Sequence, residues 1–365
     1  MRVLFVISGG GWNASARAFL LAARGLIARG HEVLVACDAE CPVQARAAGD
    51  GVPVVALNQN ANVASDAWQL RRTLQERGAD VIFVHTDAEL LRAGSAVLLG
   101  RGTRAVIRRV PPFSLATGGR GVRFATKLAP TGLLFSTEAD LQAANLKGYR
   151  VPAVVAPLAV DVTVHDAVRE VSRSSLGIPA DARLIVCVHD GSANRRVFTA
   201  MRTLALLAPR HPELHLAIVG SGKLDELRML GAALGINPRI TYLGPREDEL
   251  SVLRAANVGW IAATSDAAAF AALDFMALRT PVLAERAPLT EHYVADGIGG
   301  ILLDPADPTI TAAAVAVFLA RSDQLAQMGK AGYTRLEREF PYEQMIMGFE
   351  QALAGAVDRS VRKVS

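Results

Sequence analysis

Residues 264–284 read TSDAAAFAALDFMALRTPVLA, and the apolar segment VGWI precedes them. The apolar segment predicts a buried strand, and residues 267–278 predict a helix that Pro281 cannot continue. Ser265 or Asp266 is expected to cap the first free N–H groups of this helix. A helix that begins just past a strand offers its positive end to a diphosphate, in the crevice where open α/β sheets bind ligands.

Two carboxylates in this stretch carry a family resemblance. Asp266 and Asp274 are separated by seven residues, and the dipeptides that begin at Met276 and Pro281 follow them. The pattern resembles the donor-site signature of retaining GT-B glycosyltransferases of family 4, which has two glutamates at this spacing. The resemblance implies that Asp266 contacts the donor sugar and Asp274 holds the nucleotide ribose. From the residues alone, an N-cap and a polar residue on a solvated helix face remain the alternative.

Other positions of the stretch match or depart from the signature. Phe270 matches the phenylalanine of the family, whereas Ala271 and Arg279 stand where the family has glycine. The resemblance places the backbone of Ala269, Phe270 and Ala271 at the donor diphosphate, where helix N–H groups stabilise the leaving group.

A second candidate donor loop, residues 189–196, reads HDGSANRR. In the resembling family, an arginine and then a lysine of this loop neutralise the diphosphate. Arg195 or Arg196 can replace the lysine, whereas His189 or Asp190 replaces the arginine, so an altered or lost active site is an open alternative. The resemblance also implies donor contacts from the residues of two later turns: Gly220, Gly222, Lys223 and Gly244.

A glycine turn follows the first predicted strand. The resemblance places Gly9, Gly10 and Gly11 beside the donor sugar and the acceptor, where a chain without Cβ atoms approaches a ligand closely. A turn that closes a βα unit is the alternative. The spacing does not match a dinucleotide fingerprint, so an NAD-dependent dehydrogenase ranks well below the other interpretations.

Candidate acceptor residues follow two later strands of the first half. A strand is predicted at 81–84 and ends at His85, and residues 84–87 resemble the strand end that faces the acceptor cleft in the family. The strand predicted at 104–107 is followed by Arg108 and Arg109, where the family often has a histidine. An arginine can bind an acceptor phosphate, but it cannot act as a base.

The positive charge of the chain is unevenly distributed. The net charge is +4, yet the stretch from Arg92 to Lys127 contains eight arginine and lysine residues and no acid. This basic region predicts contact with a phosphorylated or lipid-linked acceptor, or peripheral contact with the inner face of a membrane. A solvated face is the alternative, and the scarcity of aromatic residues argues against nucleic acid.

The remaining composition predicts a cytoplasmic protein without a cofactor. The first predicted strand begins directly after Met1, which leaves no room for a signal peptide, and no apolar stretch is long enough to span a bilayer. The three cysteines fit no zinc spacing, and no cluster of carboxylates or histidines has metal-ligand spacing, so no metal is expected.

Alternating strand and helix patterns in both halves predict the α/β class. With the resemblance, they predict a GT-B fold of two Rossmann-like α/β/α domains that face each other across a cleft. Residues 1–158 would form the acceptor-side domain and residues 159–340 the nucleotide-sugar donor domain. Residues 341–365 would form a helix that returns to the first domain.

The resemblance predicts a retaining glycosyltransferase that moves a sugar from a nucleotide diphosphate sugar to an acceptor in polysaccharide or glycoconjugate biosynthesis. Asp266, Arg196 and His85 are its candidate catalytic residues. The alternative is a catalytically degenerate GT-B protein that acts as a binding or scaffold partner in glycan assembly, because fold alone does not fix function.

Overall fold

The computed structural model describes residues 1–9, 11–57, 63–98, 105–112, 132–144, 146, 151–192, 194–304 and 307–364. Gly10 and much of the basic region, including Lys127, lie outside these ranges. The chain divides into two compact units. Unit 1 comprises Met1–Leu158 and Tyr342–Ser365, and unit 2 comprises Ala159–Pro341. No helix in the described ranges combines the length and the apolar character that a membrane span requires.

Unit 1 contains a parallel sheet in the order β3-β2-β1-β4-β5-β6-β7. Its strands are β1 Arg2–Ile7, β2 Glu32–Asp38, β3 Val54–Leu57, β4 Val81–Val84, β5 Ala105–Arg109, β6 Gly132–Phe135 and β7 Ala153–Val155. Its first described helices are α1 Ala14–Ala28, α2 Pro42–Gly49, α3 Val63–Arg77, α4 Asp87–Leu98 and α5 Glu138–Ala143.

Unit 2 contains a second parallel sheet in the order β10-β9-β8-β11-β12-β13. Its strands are β8 Arg183–His189, β9 Leu214–Gly220, β10 Ile240–Gly244, β11 Val258–Ile261, β12 Val282–Glu285 and β13 Gly300–Leu303. Its described helices are α6 Val162–Ala167, α7 Asn194–Leu207, α8 Leu224–Ala233, α9 Glu249–Arg254, α10 Ser265–Ala277, α11 Pro288–Tyr293, α12 Pro308–Ala320 and α13 Ser322–Glu339.

Both sheets show the strand order of doubly wound Rossmann-like folds. The chain moves outward from a central strand in one direction and then returns to continue in the other, so each sheet has a switch point. The switch point lies between β1 and β4 in unit 1 and between β8 and β11 in unit 2. Ligands of such sheets bind outside the carboxyl ends of the strands at this point.

The last helix, α14 (Tyr342–Val364), packs against the sheet of unit 1. Phe349 is 1% exposed, and its ring centroid lies 6.2 Å from that of Phe5 and 5.2 Å from that of Phe83. Arg29, next to α1, donates to Glu343 at 2.5 Å and to Glu350 at 2.6 Å. The apolar face of α14 therefore completes the core of unit 1.

Candidate functional site

Asp190 links the ends of β8 and β11 at the switch point of unit 2. Its Oδ2 accepts from the backbone N–H of Thr264 at 2.8 Å and from the Thr264 hydroxyl at 3.1 Å. Its Oδ1 accepts from the N–H of Ser192 at 3.0 Å and from the Ser192 hydroxyl at 2.5 Å. The carboxylate thus accepts four hydrogen bonds, and these join the loop after β8 to the loop after β11.

Helix α10 begins two residues earlier than the sequence predicts. Thr264, and not Ser265 or Asp266, occupies the N-cap position, and its carbonyl accepts the N–H of Ala268 at 3.2 Å. The first N–H groups of the helix are therefore those of residues 265–267. Residues 269–271 lie one turn inside the helix, and their predicted contact with the diphosphate stays a prediction.

The first residue of α10 has a strained backbone. Ser265 has φ of +49°, in the left-handed region that residues with a Cβ rarely adopt. Such a conformation costs about 1–2 kcal/mol and persists only where the surroundings hold it. Here the preceding residue, Thr264, is held by Asp190. The hydrogen bonds from Thr264 to Asp190 therefore hold the backbone at the start of α10.

Three cations lie near the starts of helices at the carboxyl edge of this sheet. Arg195 in α7 and Lys223, the N-cap residue of α8, are exposed. The guanidinium of Arg196 donates to the Ala263 carbonyl at 3.0 Å and pairs with Glu285 at 3.2 Å. Glu285 is 3% exposed, and the sequence patterns did not identify it. Arg195 is therefore the more accessible of the two arginines proposed to replace the lysine.

The glycines predicted to contact the donor have backbones that require glycine. Gly220 and Gly222 have φ of +112° and +150°, and Gly244 has φ of +66°. A side chain is disfavoured in this region of φ, so the turns after β9 and β10 bring bare backbone to the carboxyl edge of the sheet.

Asp274 lies further along α10 and bonds to a histidine of α6. Its Oδ1 is 2.7 Å from Nε2 of His165, and the two residues are each 2% exposed. Asp266 is 3% exposed. Both aspartates are buried, so the alternative of an N-cap and a solvated helix face is wrong for this pair. The predicted contacts of Asp266 with the sugar and of Asp274 with the ribose stay predictions.

Glu89 is the central polar residue at the switch point of unit 1. Its carboxylate accepts from the N–H and hydroxyl of Ser8 at 2.7 and 2.9 Å, and from the N–H groups of His85 and Thr86 at 2.8 and 2.9 Å. The Thr86 hydroxyl accepts from the Glu89 N–H at 3.2 Å, which completes a capping box. The Thr-x-x-Glu spacing is the sequence signal that could have identified Glu89, which was not among the predicted residues.

Gly9, Gly11 and His85 lie at the same switch point. The Gly9 N–H donates to Asp38 at 3.1 Å, and the Gly11 N–H donates to the Gly9 carbonyl at 2.7 Å. His85 Nδ1 is 3.1 Å from the Arg109 carbonyl oxygen, so Nδ1 donates. A cavity of about 210 Å³ is lined by residues that include Ser8, His85 and Glu89.

The prediction that Arg108 and Arg109 follow a strand is wrong. Both residues belong to β5, and both are 1% exposed. Arg108 bonds to Asp87, and Arg109 donates to the Ser136 hydroxyl at 2.7 Å. Because successive side chains of a strand point to opposite faces, the two guanidinium groups cannot act as one anion-binding pair. Either would have to leave its present surroundings to reach an acceptor phosphate.

Two family descriptions match this chain. Residues 13–211 match the family described as Glycosyl transferase 4-like domain, and residues 168–335 match Glycosyl transferases group 1. The chain belongs to the GT4-like family of glycosyltransferases.

Two relatives of this GT4-like chain show how far the likeness extends. The D-inositol 3-phosphate glycosyltransferase of Corynebacterium kroppenstedtii is 29% identical over 262 residues, 68% of this chain and 56% of the relative. The lipopolysaccharide core biosynthesis glycosyltransferase LpsE of Rhizobium meliloti is 25% identical over 185 residues, 50% of this chain and 53% of the relative. The chain thus spans about half the length of the curated relatives it matches.

Solved structures confirm the predicted GT-B fold of this GT4-like chain. Anabaena Alr3699/HepE, crystallised in complex with UDP and glucose, is 17% identical, with a TM-score of 0.81 over 97% of this chain and 99% of that one. WaaG, a glycosyltransferase involved in lipopolysaccharide biosynthesis, is 17% identical, with a TM-score of 0.68 over 96% of this chain and 99% of that one.

A separate groove of unit 2 contains none of the predicted site residues. It has a volume of about 880 Å³ and is lined largely by apolar residues of α12 and α13, among them Ile310, Val317 and Met328. Among the described residues that line it, none is His, Asp or Glu, and Arg321 is charged.

Proposed function

We propose that this chain is a retaining glycosyltransferase that moves a sugar from a nucleoside diphosphate sugar to an acceptor in polysaccharide or glycoconjugate biosynthesis. One observation carries the proposal. The starts of α7, α8 and α10, with Arg195 and Lys223, follow the carboxyl ends of the adjacent strands β8, β9 and β11. Helix N termini and cations at one edge suit a diphosphate leaving group.

The proposal gives a role to each of the following site residues of unit 2. Arg195, Lys223 and the first N–H groups of α10 stabilise the charge that develops on the diphosphate as the glycosidic bond breaks. Arg196, held by Glu285, contributes its remaining donors. Asp266 contacts the sugar and Asp274 the ribose. No step requires a metal, so we expect turnover in the presence of a chelator.

The names of the relatives suggest which substrates to test first. Alr3699/HepE was crystallised with UDP-glucose, and several relatives are named D-inositol 3-phosphate glycosyltransferases. We therefore propose a uridine diphosphate sugar as the first donor and a phosphorylated polyol as the first acceptor. His85 and the glycine turn would face the acceptor in unit 1. Peripheral membrane contact of the basic region would bring a lipid-linked acceptor within reach.

The test is calorimetric titration with UDP, GDP, ADP and TDP, followed by an assay for diphosphate release from the matching sugar donors. We expect one diphosphate to bind and turnover to fall by about 100-fold in Asp266→Ala, since this variant removes a contact to the reacting sugar. Asp181→Ala is the control, because Asp181 is exposed and lies before the amino end of β8, at the opposite edge of the sheet. Equal turnover in both variants would refute the role of Asp266.

A binding or scaffold protein is the second candidate function. It is favoured by Asp190, because this loop of the proposed phosphate site carries an arginine in the resembling family. The Asp190 carboxylate accepts hydrogen bonds from Ser192 and Thr264. This candidate predicts that wild-type protein binds nucleotide weakly and releases no nucleoside diphosphate from any sugar donor. Turnover that Asp266→Ala abolishes would rule it out.

A further inference from the structure

The side chain of His189, the last residue of β8, is buried with one ring nitrogen unsatisfied. His189 is 2% exposed, and its Nε2 has no hydrogen-bond partner among the described residues. Its Nδ1 accepts from the Gly191 N–H at 3.4 Å. Burial lowers the pKa of His189, although Asp190 opposes the shift, so the ring is neutral at pH 7. With Nδ1 as the acceptor, the ring proton is on Nε2.

The turn after β9 covers this N–H donor. A Cβ atom on Gly222 would lie 2.2 Å from Nε2 of His189, and one on Gly220 would lie 1.9 Å from the His189 carbonyl oxygen. Gly222 is therefore required for the imidazole to occupy its place, and Gly220 is required for the close approach of the two backbones. The turn itself is accessible, because Ser221, Gly222 and Lys223 are exposed. Gly220 is paired with His189 in the sheet, so the part of the turn that can shift begins at Ser221, where Gly222 has no side chain to oppose a movement.

We propose that the Nε2–H of His189 is a binding group for the diphosphate of the donor, which reaches it when Ser221 and Gly222, in the turn after β9, move outward. This inference rests on the proposed function. A buried donor without a partner is costly to leave unpaired, and a diphosphate oxygen would satisfy it. Arg195 and Lys223 flank the same strand ends, and the nearest acid, Asp190, already accepts from Ser192 and Thr264.

The chemistry of the surroundings selects the diphosphate over the sugar or the base. The carboxyl edge of the sheet carries the N–H groups of three helix starts, with the cations Arg195 and Lys223 on two of these helix starts, and such groups recognise phosphate oxygens. His189 cannot be a general base in this tautomer, because Nε2 already carries the proton. It is therefore a binding residue, and its loss should affect the diphosphate and not the nucleoside.

The experiment titrates UDP, GDP, ADP and TDP, and their nucleosides, into wild-type protein, His189→Leu and His189→Gln. We expect His189→Leu to weaken binding of the selected diphosphate by about 10- to 100-fold, the usual effect of losing a hydrogen bond to a charged group. Binding of its nucleoside should not change. His189→Gln should recover most of the loss, because its amide nitrogen can take the place of Nε2.

A second buried histidine provides the matched control. His215 is 5% exposed in the neighbouring strand β9, burial lowers its pKa, and its Nε2 is 2.9 Å from the Thr241 hydroxyl oxygen. It lies at the amino end of that strand, so His215→Leu should bind the diphosphate as wild type does. If His189→Leu does not fold, NMR titration of ¹⁵N-histidine-labelled wild-type protein replaces the variant. The Nε2–H resonance of His189 should shift when the diphosphate is added, but not when the nucleoside is added.

The outcomes separate this inference from the proposed function. If wild-type protein binds no diphosphate, the proposed function fails before His189 is tested. If wild type binds a diphosphate and His189→Leu binds it equally well, the role of His189 is overturned. The same holds if His189→Leu weakens binding of the nucleoside as much as binding of the diphosphate. An Nε2–H resonance that does not respond to the diphosphate overturns it as well.

Discussion

The imidazole of His165 lies between two oxygen atoms, and these determine where its protons are. Nδ1 is 2.9 Å from the Asp161 carbonyl oxygen, which can only accept, so Nδ1 carries a hydrogen. Nε2 is 2.7 Å from Oδ1 of Asp274, so a second hydrogen lies between these two atoms. His165 therefore holds the carboxylate predicted to bind the ribose in one orientation, through a charge-assisted hydrogen bond.

Removing one partner of this buried pair should destabilise unit 2. We expect Asp274→Ala to lower the free energy of unfolding by about 3–5 kcal/mol, because it leaves His165 buried without its partner. Urea denaturation measures the change. Asp166→Ala is the control: Asp166 pairs with Arg279 at 3.3 Å, but the side chains are 51% and 42% exposed, so the loss should be below about 1 kcal/mol. Similar losses in both variants would contradict a strongly coupled buried pair.

The sequence predicted local features of the site better than long-range ones. Helix α10 and its position after β11 were predicted, because helix propensity and an apolar run are local signals. The partner of Asp274 lies 109 residues earlier in the chain, where nothing marks His165 as a ligand of that carboxylate. Arg108 and Arg109 were predicted as loop residues, since two adjacent charges rarely belong to a buried strand.

At the scale of elements, strands with continuous apolar sequences were predicted with the correct bounds. Residues 81–84 and 258–261 are all buried in the structure, which is typical of central parallel strands. Helix α10 began earlier than predicted, because Thr264 takes the N-cap position through its backbone, which Asp190 holds. A cap set by a residue 74 positions away in the sequence cannot be read from local composition.

Two glycines of α14 differ in how closely they approach the sheet of unit 1. A Cβ atom on Gly348 would lie 2.4 Å from Cβ and 3.0 Å from Cα of Ala156, which cannot rotate away. A Cβ atom on Gly355 would lie 3.7 Å from Pro152, an ordinary van der Waals contact. The same substitution should therefore have opposite effects at two positions of one helix.

We expect Gly348→Ala to destabilise unit 1 by about 1–3 kcal/mol through overpacking. Gly355→Ala should stabilise it by about 0.5–1 kcal/mol, because alanine is the better helix former and the added methyl group fits. Thermal or urea unfolding of the two variants measures both signs. Stabilisation by Gly348→Ala would show that α14 lies further from β7 than the structure places it.

At the scale of the whole molecule, each unit has its own sheet and its own core. The core of unit 2 includes Trp260, Leu216 and Val315. Unit 1 is assembled from two distant parts of the chain, since Phe349 of α14 packs on Phe5 and Phe83. A substitution that destabilises α14 should therefore also lower the stability of strands of unit 1 that lie more than 250 residues away in the sequence.

We expect Phe349→Ala to lower the free energy of unfolding of unit 1 by about 3–5 kcal/mol, because it removes a buried ring from a closely packed aromatic cluster. Hydrogen exchange read by mass spectrometry tests where the cost appears: peptides covering β1 and β4 should lose protection, and peptides covering β8 and β9 should keep it. Met347→Ala is the control in the same helix, since Met347 is 48% exposed and its loss should leave every peptide unchanged. Equal loss of protection in β8 and β9 would mean that the two cores open as one cooperative structure. Unchanged protection in β1 and β4 would mean that α14 covers the sheet without stabilising it.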